Sequence, residues 1–206
     1  MRSLQLLGAV LTLAFSAAAD RNKEAIGDAL TPYLTRARTV LEIGSGTGQH
    51  AVYLAGRYTD LIWQPTDREE NVIAINARVV QSNLPNINQT IVLDVADAGT
   101  VDTTYNFVFS ANTAHIMSIV EVKAMFRVVA GLLRGNGYFA LYGPFKYRGQ
   151  HTSPGNENFD AMLQQQAAHM GIRDKADLDA MAFEYGLDFA DDLAMPANNR
   201  ILLWRR

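Results

Sequence analysis

A carboxylate and three glycines stand at alternate positions in one short segment of the chain, Glu42, Gly44, Gly46 and Gly48. The apolar residues around them predict a buried strand that runs into a glycine-rich turn and then into a helix. Glycines let the backbone bend sharply and approach a ligand without a Cβ in the way, and we expect free N–H groups at the helix start to face that ligand. The segment therefore predicts a cofactor-binding turn.

The spacing of the glycines distinguishes two classes of cofactor. The dinucleotide fingerprint places its third glycine where Gln49 stands in this chain. The carboxylate of Glu42 would repel a pyrophosphate but would suit a cation, such as the ammonium group of an amino-acid moiety. The pattern favours S-adenosylmethionine (SAM) over NAD, and it makes Ser45, Gln49 and His50 further candidates for cofactor binding. An ordinary glycine-rich turn between a strand and a helix is the alternative.

Two aspartates follow the next two predicted strands. Asp67 stands about 20 residues after the first glycine, where a carboxylate can accept hydrogen bonds from both ribose hydroxyls. Its alternative role is to cap the helix that follows. Asp94 ends the third predicted strand, residues 90–95, and could accept a hydrogen bond from the adenine amino group. Both aspartates are predicted cofactor ligands.

The acceptor site is predicted after the fourth and fifth strands, because ligands of open α/β sheets bind outside the carboxyl ends of the strands. Methyl transfer from a sulfonium needs proximity, orientation and in some cases a base. His115 is the first candidate base because imidazole titrates near neutral pH, and a histidine held by the backbone is the alternative. His169 is interpreted as a helix-surface residue. The other catalytic candidates are Asn112, which could also contact the cofactor, Tyr142, His151, Asn198 and Asn199.

Strands and helices alternate along the chain, and this pattern predicts an α/β fold. The last two predicted strands, residues 187–195 and 200–205, are joined too closely for a parallel crossover and must form an antiparallel pair. This is the Rossmann-like class I methyltransferase architecture, a seven-stranded mostly parallel sheet with an antiparallel last strand and helices on both faces. Strands four, five and six are expected to end side by side. Residues 146–155 are polar, lack a clear period and are predicted to form a lid.

The N-terminal residues combine two patterns. Residues 1–19 are an apolar leader that contains Arg2 and ends in three alanines, which is typical of a secretory signal and would imply export. The apolar run is too short for a convincing membrane span, and charged residues follow it directly. Because SAM is a cytosolic metabolite, we favour a cytoplasmic location. Residues 20–206 are predicted to form one domain.

A helix capped by Asp20 and running to Leu34 is predicted at the start of that domain. In this fold a helix before the first strand can cover the cofactor, which makes Arg21 and Asn22 candidate cofactor ligands. A solvated helix start is the alternative for these polar residues.

Composition narrows the range of partners. The net charge is −3, with lysines and arginines scattered, so nucleic acid is not a predicted partner. Cysteine is absent, which excludes disulfides and thiolate metal sites, and no helix-spaced motif for metal ligands is present. A small-molecule methyl acceptor is therefore predicted. Amides and aromatic rings at the proposed site suit a small polar or zwitterionic molecule, since only Lys146 and Arg148 there could neutralise phosphates.

Several short motifs resemble the methyltransferase-like 26 family, also known as domain of unknown function 938. They are Arg21-Asn22-Lys23-Glu24, the turn from Glu42 to His50, Trp63-Gln64-Pro65-Thr66-Asp67, Leu93-Asp94-Val95, Ala111-Asn112, His115-Ile116, Tyr142-Gly143-Pro144-Phe145-Lys146, His151-Thr152, Gly171-Ile172-Arg173-Asp174 and Met195-Pro196-Ala197-Asn198-Asn199. The resemblance covers residues 15–206 and implies a class I fold and SAM binding, with no established substrate. Ala25, Gly44 and Met170 depart from residues common in the family.

Two functions from other classes stay open at this point. An NAD-dependent oxidoreductase is disfavoured by the glycine spacing and by Glu42. A non-catalytic SAM-binding protein of the same fold is compatible with every motif, because fold does not imply function.

Overall fold

A computed structural model describes residues 13–97 and 103–206, so residues 1–12 of the predicted leader lie outside the described part. The strands in this part are β1 (Thr39–Ile43), β2 (Ile62–Asp67), β3 (Ile91–Val92), β4 (Tyr105–Ala111), β5 (Leu133–Gly143), β6 (Phe145–Tyr147), β7 (Gln150–His151), β8 (Arg173–Asp174), β9 (Asp188–Met195) and β10 (Asn199–Arg205). Seven of them form the main sheet, in the order β3-β2-β1-β4-β5-β10-β9.

Strand direction in the main sheet follows the prediction. Strands β1 to β5 pair in parallel, and β10 is antiparallel to both β5 and β9. The short connection between β9 and β10 forces this reversal, since a parallel pair needs a much longer crossover. The predicted mostly parallel sheet of seven strands with an antiparallel last strand is confirmed.

The order of the last strands corrects one expectation. Strand β10 lies between β5 and β9, so the sixth strand of the sheet along the chain, β9, is an edge strand and does not end beside β5. The turn that carries Asn198 and Asn199 still lies at the carboxyl end of β5, because β10 begins at this turn and pairs Arg200 with Gly143. Sequence reasoning gave the pairing of the hairpin correctly, but not which of its strands pairs with β5.

Helices cover both faces of the sheet, as predicted. They are α1 (Ala17–Leu34), α2 (Gln49–Arg57), α3 (Glu69–Ser82), α4 (Ile119–Leu132), α5 (Pro154–Gln166) and α6 (Lys175–Glu184). Leu30, Leu54 and Ile75 bring α1, α2 and α3 into one buried core, whereas Phe126 and Leu178 bring α4 and α6 into a second. No helix in residues 13–97 and 103–206 is long and apolar enough to cross a membrane.

Helix α1 begins three residues before the predicted N-cap. The Ser16 hydroxyl accepts a hydrogen bond from the Ala19 N–H, so Ser16 caps the helix and Asp20 lies in its first turn. Serine is as good a cap as aspartate, and alanine has the highest helix propensity, so the local sequence favours the earlier start. The end of the predicted leader at Ala19 thus falls inside a regular helix.

Two further segments differ from their predicted structure. Strand β3 has only two residues, and Asp94 follows it in a loop. Residues 145–151 and 173–174, which include most of the predicted polar lid, form a second sheet in the order β7-β6-β8. Helix α5 then starts at Pro154, where the Ser153 hydroxyl accepts from the Asn156 N–H. We call Phe145–Asp174 the insertion.

Candidate functional site

The three glycines of the turn have backbone angles that other residues rarely adopt. Gly44, Gly46 and Gly48 have φ values of 71°, 57° and 72°. A Cβ at Gly44 would lie 2.6 Å from the Thr113 Cγ2 atom, so the turn packs closely against the residues that follow β4. A Cβ at Gly46 would meet no atom within 4 Å and would project into open space. Gly44 is therefore needed for the close packing of the turn against Thr113, and Gly46 leaves open space beside the turn that a ligand could occupy.

Four backbone N–H groups of the turn, those of its three glycines and of Ser45, are bonded inside the protein. Those of Gly44 and Ser45 donate to the Thr66 carbonyl oxygen, each at 3.0 Å. The Gly46 N–H donates to Asp67 Oδ2 at 2.7 Å, and the Gly48 N–H donates to the Ser45 carbonyl oxygen. A pyrophosphate site needs such donors aimed at the ligand. These four N–H groups are therefore not available to a pyrophosphate, and the expectation for the N–H groups at the start of α2 stays a prediction.

Asp67 lies at the end of β2 and joins the turn to the start of α3. Its other oxygen, Oδ1, accepts from the Arg68 N–H and from Asn71 Nδ2, both at 2.8 Å. A carboxylate has about four lone-pair sites, so three protein donors leave acceptor capacity for one more. The N-cap of α3 is Arg68, one residue later than the capping alternative placed it. Asp67 therefore helps to hold the start of α3 from the preceding position and at the same time lines the cavity described below.

Glu42 lies beneath the turn and is 1% exposed. Its Oε2 atom accepts from the Ser45 hydroxyl at 3.0 Å and from Trp63 Nε1 at 3.1 Å. Burial raises the pKa of Glu42 to about 7, although the hydrogen bonds from Trp63 and Ser45 oppose this shift. Glu42 does not line the cavity, so its contact with the site runs through Ser45.

Gln49 and His50 connect the start of α2 to the N-terminal part of the chain. Gln49 bonds the backbone of Ser16, and His50 Nε2 lies 2.7 Å from Asn22 Oδ1 on α1. Burial lowers the pKa of His50 to about 4, with a smaller contribution from Lys23, so its imidazole is neutral at physiological pH. Asn22 thus acts through His50, which itself lines the cavity.

A cavity of about 460 Å³ opens at the carboxyl ends of β1, β2 and β4. Seven of the predicted cofactor residues line it: Gly44, Ser45, Gly46, His50, Asp67, Asp94 and Asn112. The other five, Arg21, Asn22, Glu42, Gly48 and Gln49, do not line it. Its volume is within the usual range for a small-molecule site.

Asp94 and Asn112 border the cavity from the loops after β3 and β4. Asp94 Oδ1 accepts from the Ala96 N–H at 2.9 Å. Asn112 has a φ of 60°, which is unusual outside glycine, and its N–H donates to the Tyr142 carbonyl oxygen at 2.9 Å. This bond joins the ends of β4 and β5 beside the cavity. Of the predicted catalytic residues, Asn112 is the one that lines it.

His115 and Tyr142 are buried behind the cavity wall. The His115 ring contacts Phe159 of α5 edge-to-face, at 5.3 Å between ring centroids, and the His115 carbonyl oxygen accepts from the Gly171 N–H. Burial lowers the pKa of His115 to about 4, with a smaller contribution from Arg173. Burial also raises the pKa of Tyr142. Neither side chain lines the cavity.

The remaining catalytic candidates lie in or against the insertion. His151 Nε2 lies 2.9 Å from Asp160 Oδ2, and Lys146 Nζ lies 3.2 Å from the same oxygen. Asn198 is exposed, and its carbonyl oxygen accepts from Asn156 Nδ2 at 3.1 Å, whereas Asn199 Nδ2 donates to the carbonyl oxygen of Pro196 within its own turn. None of His151, Asn198 and Asn199 lines the cavity.

Several cavity residues were not predicted. Ser16 and Ala19 of the N-terminal segment line it, and so do His169 and Met170, which lie after the end of α5 rather than on the helix surface that we predicted for His169. The others are Ile43, Thr47, Arg68, Asn71, Leu93, Val95, Ala111, Thr113, Ile116, Met117 and Glu121. The position of Asn71 four residues after Asp67 was a usable signal, since this spacing brings two side chains together at a helix start. Met170 and Ile116 carried no chemical signal in the sequence.

Solved structures of similar fold include an O-methyltransferase family protein from Burkholderia thailandensis, with a TM-score of 0.76, 16% identity and coverage of 92% of this chain and 59% of that chain. For the apo form of the S-adenosylmethionine-dependent methyltransferase SibL, the TM-score is 0.78 and the identity 19%, with coverage of 92% of this chain and 55% of that chain. For a structure described as PigF with SAH, the TM-score is 0.72 and the identity 12%, with coverage of 91% of this chain and 58% of that chain. The chain spans somewhat more than half the length of these proteins. These similarities confirm the class I methyltransferase fold.

The model of the family described as "Protein of unknown function (DUF938)" matches residues 13–206, and the chain belongs to this family. The matched range begins before α1 and includes Ser16 and the alanines that resemble a cleavage site.

Proposed function

We propose that this protein is a SAM-dependent methyltransferase of the methyltransferase-like 26 type that acts on a small polar molecule. The observation that carries the proposal is that one cavity collects the glycine turn after β1, Asp67 after β2 and Asp94 after β3. Each of these elements follows a different strand of a class I fold, at the edge where such sheets bind ligands.

The chemistry of the cavity favours SAM over a dinucleotide. The N–H groups of the three glycines and of Ser45 are already bonded to protein acceptors. The carboxylates of Asp67, Asp94 and Glu121 that line the cavity would repel a pyrophosphate. The same carboxylates are compatible with a ligand that carries a sulfonium and an ammonium group. In this proposal the ribose hydroxyls lie at Asp67 and the adenine amino group lies at Asp94.

Methyl transfer requires little chemistry from the protein. Bound SAM would supply an already activated methyl group, so that an acceptor atom could displace S-adenosylhomocysteine (SAH), with any proton on the acceptor passing to a nearby base or to water. Positioning of the acceptor supplies most of the acceleration. We place the acceptor on the β4 and β5 side of the cavity, near Asn112, with His115, Tyr142 and His151 behind it and Asn198 and Asn199 at its outer margin.

Calorimetry with SAM, SAH and NADH tests the cofactor. We expect binding of SAM and SAH and none of NADH, and Gly46→Val is expected to abolish binding because its side chain would enter the cavity. Gly186→Val is the matched control, since Gly186 also has a positive φ, of 75°, and open space around it but lies at the end of α6. SAM affinity that is unchanged in Gly46→Val contradicts the assignment, and binding of NADH alone supports an oxidoreductase.

A metabolite screen with methyl-labelled donor tests the reaction. The unaltered protein, His115→Ala and Asn198→Ala are compared on every acceptor that is found. Slower turnover in both variants is expected if the acceptor lies where we propose. Normal turnover in both would place the acceptor elsewhere and leave the cofactor assignment intact. SAM binding without transfer to any acceptor would favour the non-catalytic alternative.

We also propose a cytoplasmic location, because SAM is made in the cytosol and because Ser16 and Ala19 line the cavity. Mass spectrometry of the native N-terminus tests this. A protein that starts at Asp20 would contradict the cytoplasmic location and support export.

A further inference from the structure

The residues just before α1 lie against the glycine turn, although more than 25 residues separate them in sequence. Ser16 and Ala19 line the same cavity as Gly44, Ser45 and Gly46. We call residues 14–19 the N-terminal wall. Its contacts with the rest of the site run through two long polar side chains, Gln49 on α2 and Arg78 on α3.

Gln49 bonds both backbone groups of one residue of the N-terminal wall. The Ser16 N–H donates to Gln49 Oε1 at 2.5 Å, and Gln49 Nε2 donates to the Ser16 carbonyl oxygen at 3.3 Å. The same Oε1 atom accepts from the Thr47 hydroxyl at 2.9 Å, and Thr47 belongs to the turn and lines the cavity. The amide of Gln49 therefore joins the wall directly to the turn.

Arg78 makes a second connection between the same two segments. Its Nε atom donates to the Thr47 carbonyl oxygen at 2.6 Å, and its Nη2 atom donates to the Ala14 carbonyl oxygen. A Cβ at Gly48 would lie 3.3 Å from Arg78 Cδ, so glycine at this position lets the arginine lie close over the turn. The fixed fork of a guanidinium is suited to two acceptors at once, and an ammonium group is not.

We propose that the N-terminal wall is part of the cofactor site and that Gln49 and Arg78 are positioning residues that hold it against the bound cofactor. This inference rests on the proposed function. Side-chain hydrogen bonds hold residues 14–16 of the wall to the turn, and Phe15 is 67% exposed. This part of the wall opens for cofactor exchange by breaking those bonds and the Ser16 cap of α1, without disturbing the sheet. A chain cleaved after Ala19 would lack this wall and bind the cofactor weakly.

The test compares the dissociation rate of SAH from the full-length protein and from Gln49→Met and Arg78→Lys, measured by stopped-flow displacement. Gln49→Met keeps the side-chain volume and removes both bonds to Ser16. We expect dissociation about tenfold faster in each variant, with a smaller change in the association rate. The matched control is Tyr58→Phe, which removes the hydrogen bond from the Tyr58 hydroxyl to the Gly27 carbonyl oxygen, a contact between α1 and the end of α2 away from the cavity.

Limited proteolysis gives a second readout that does not depend on the rate measurement. SAH is expected to protect the N-terminal wall from cleavage in the unaltered protein and in Tyr58→Phe, and to protect it less in the two variants. Dissociation rates equal to that of the unaltered protein in both folded variants would overturn the inference while SAH binding itself stands. Absence of SAH binding by the unaltered protein would overturn the proposed function and the inference with it.

Discussion

The glycine turn and the insertion are both rich in titratable and polar residues, but they use them differently. Next to the turn, Asp67 at the end of β2 accepts hydrogen bonds from three protein donors and still lines an open cavity. In the insertion, Asp160 is 4% exposed and accepts from His151, Lys146 and the Ile172 N–H. The polar groups around Asp160 thus satisfy one another. A binding site is recognised by hydrogen-bonding groups that face a cavity and can still accept or donate, and residue type alone does not show this.

The insertion also contributes to the cavity, because His169 and Met170 near its end line it. Arg173 Nε donates to the Ala114 carbonyl oxygen at 3.0 Å, and its Nη2 atom donates to the carbonyl oxygens of Met117 and His169. Ala114 lies in the loop after β4, which also carries Asn112. The insertion therefore also supports the loop that borders the cavity, and of its two histidines His169 lines the cavity whereas His151 does not.

The largest effect is expected at the point where the turn packs most tightly. Gly44→Ala would place a Cβ 2.6 Å from Thr113 Cγ2 at a φ of 71°. We expect the free energy of unfolding to fall by about 3 kcal/mol and cofactor binding to be lost, because backbone strain and overpacking add. Urea denaturation and calorimetry measure both. Gly135→Ala, where a Cβ meets no atom within 4 Å, is the control. A stable, SAM-binding Gly44→Ala would contradict the packing argument.

The pH dependence of stability should have one contribution from His50, which follows the glycine turn, and one from His115, whose ring packs against Phe159 of the insertion. The pKa values of His50 and His115 are lowered from 6.5 to about 4, so the unfolded chain binds more protons than the folded one between these values. The contribution of each histidine to the free energy of unfolding is therefore fully present above pH 6.5 and is lost as the pH falls towards 4. The loss is up to about 3 kcal/mol for each imidazole. Urea unfolding from pH 4 to 8 is the measurement. His50→Gln and His115→Gln should each reduce the slope, and an unchanged slope in either would contradict its assigned pKa.

A smaller and local effect is expected for Asp160→Asn. The ion pairs with Lys146 and His151 are lost, while the amide oxygen still accepts from the Ile172 N–H. We expect a loss of about 1–2 kcal/mol, faster proteolysis between residues 145 and 174, and SAM affinity within about twofold of the unaltered protein. Asp28→Asn, which breaks the exposed pair with Arg57, is the control. A large fall in SAM affinity would mean that the two regions are not separable.

The smallest effect on donor binding is expected for His115→Ala and Asn198→Ala. Neither side chain lines the cavity, so calorimetry should give SAM affinities within about twofold of the unaltered protein. Any loss should instead be seen in turnover of an acceptor. A strong loss of SAM affinity in Asn198→Ala would place the final hairpin closer to the donor than its contacts with the insertion indicate.

The sequence by itself determined the features that depend on short-range rules. The glycine turn requires positive φ at Gly44, Gly46 and Gly48, and the short link between β9 and β10 requires an antiparallel pair. Asp67 and Asp94 were placed at the cavity because the carboxyl ends of parallel strands share one edge of the sheet.

Only the tertiary structure decided which polar groups stay available. Asp160 is satisfied by residues from two strands, the N–H groups of Gly44, Ser45 and Gly46 are bonded to β2, and Ser16 is joined to Gln49 across 33 positions. The order of β5, β10 and β9 likewise follows from how both hairpin strands fit the sheet and its helices. These contacts connect residues far apart in the chain, so no local pattern encodes them, and they form only when the whole sheet packs.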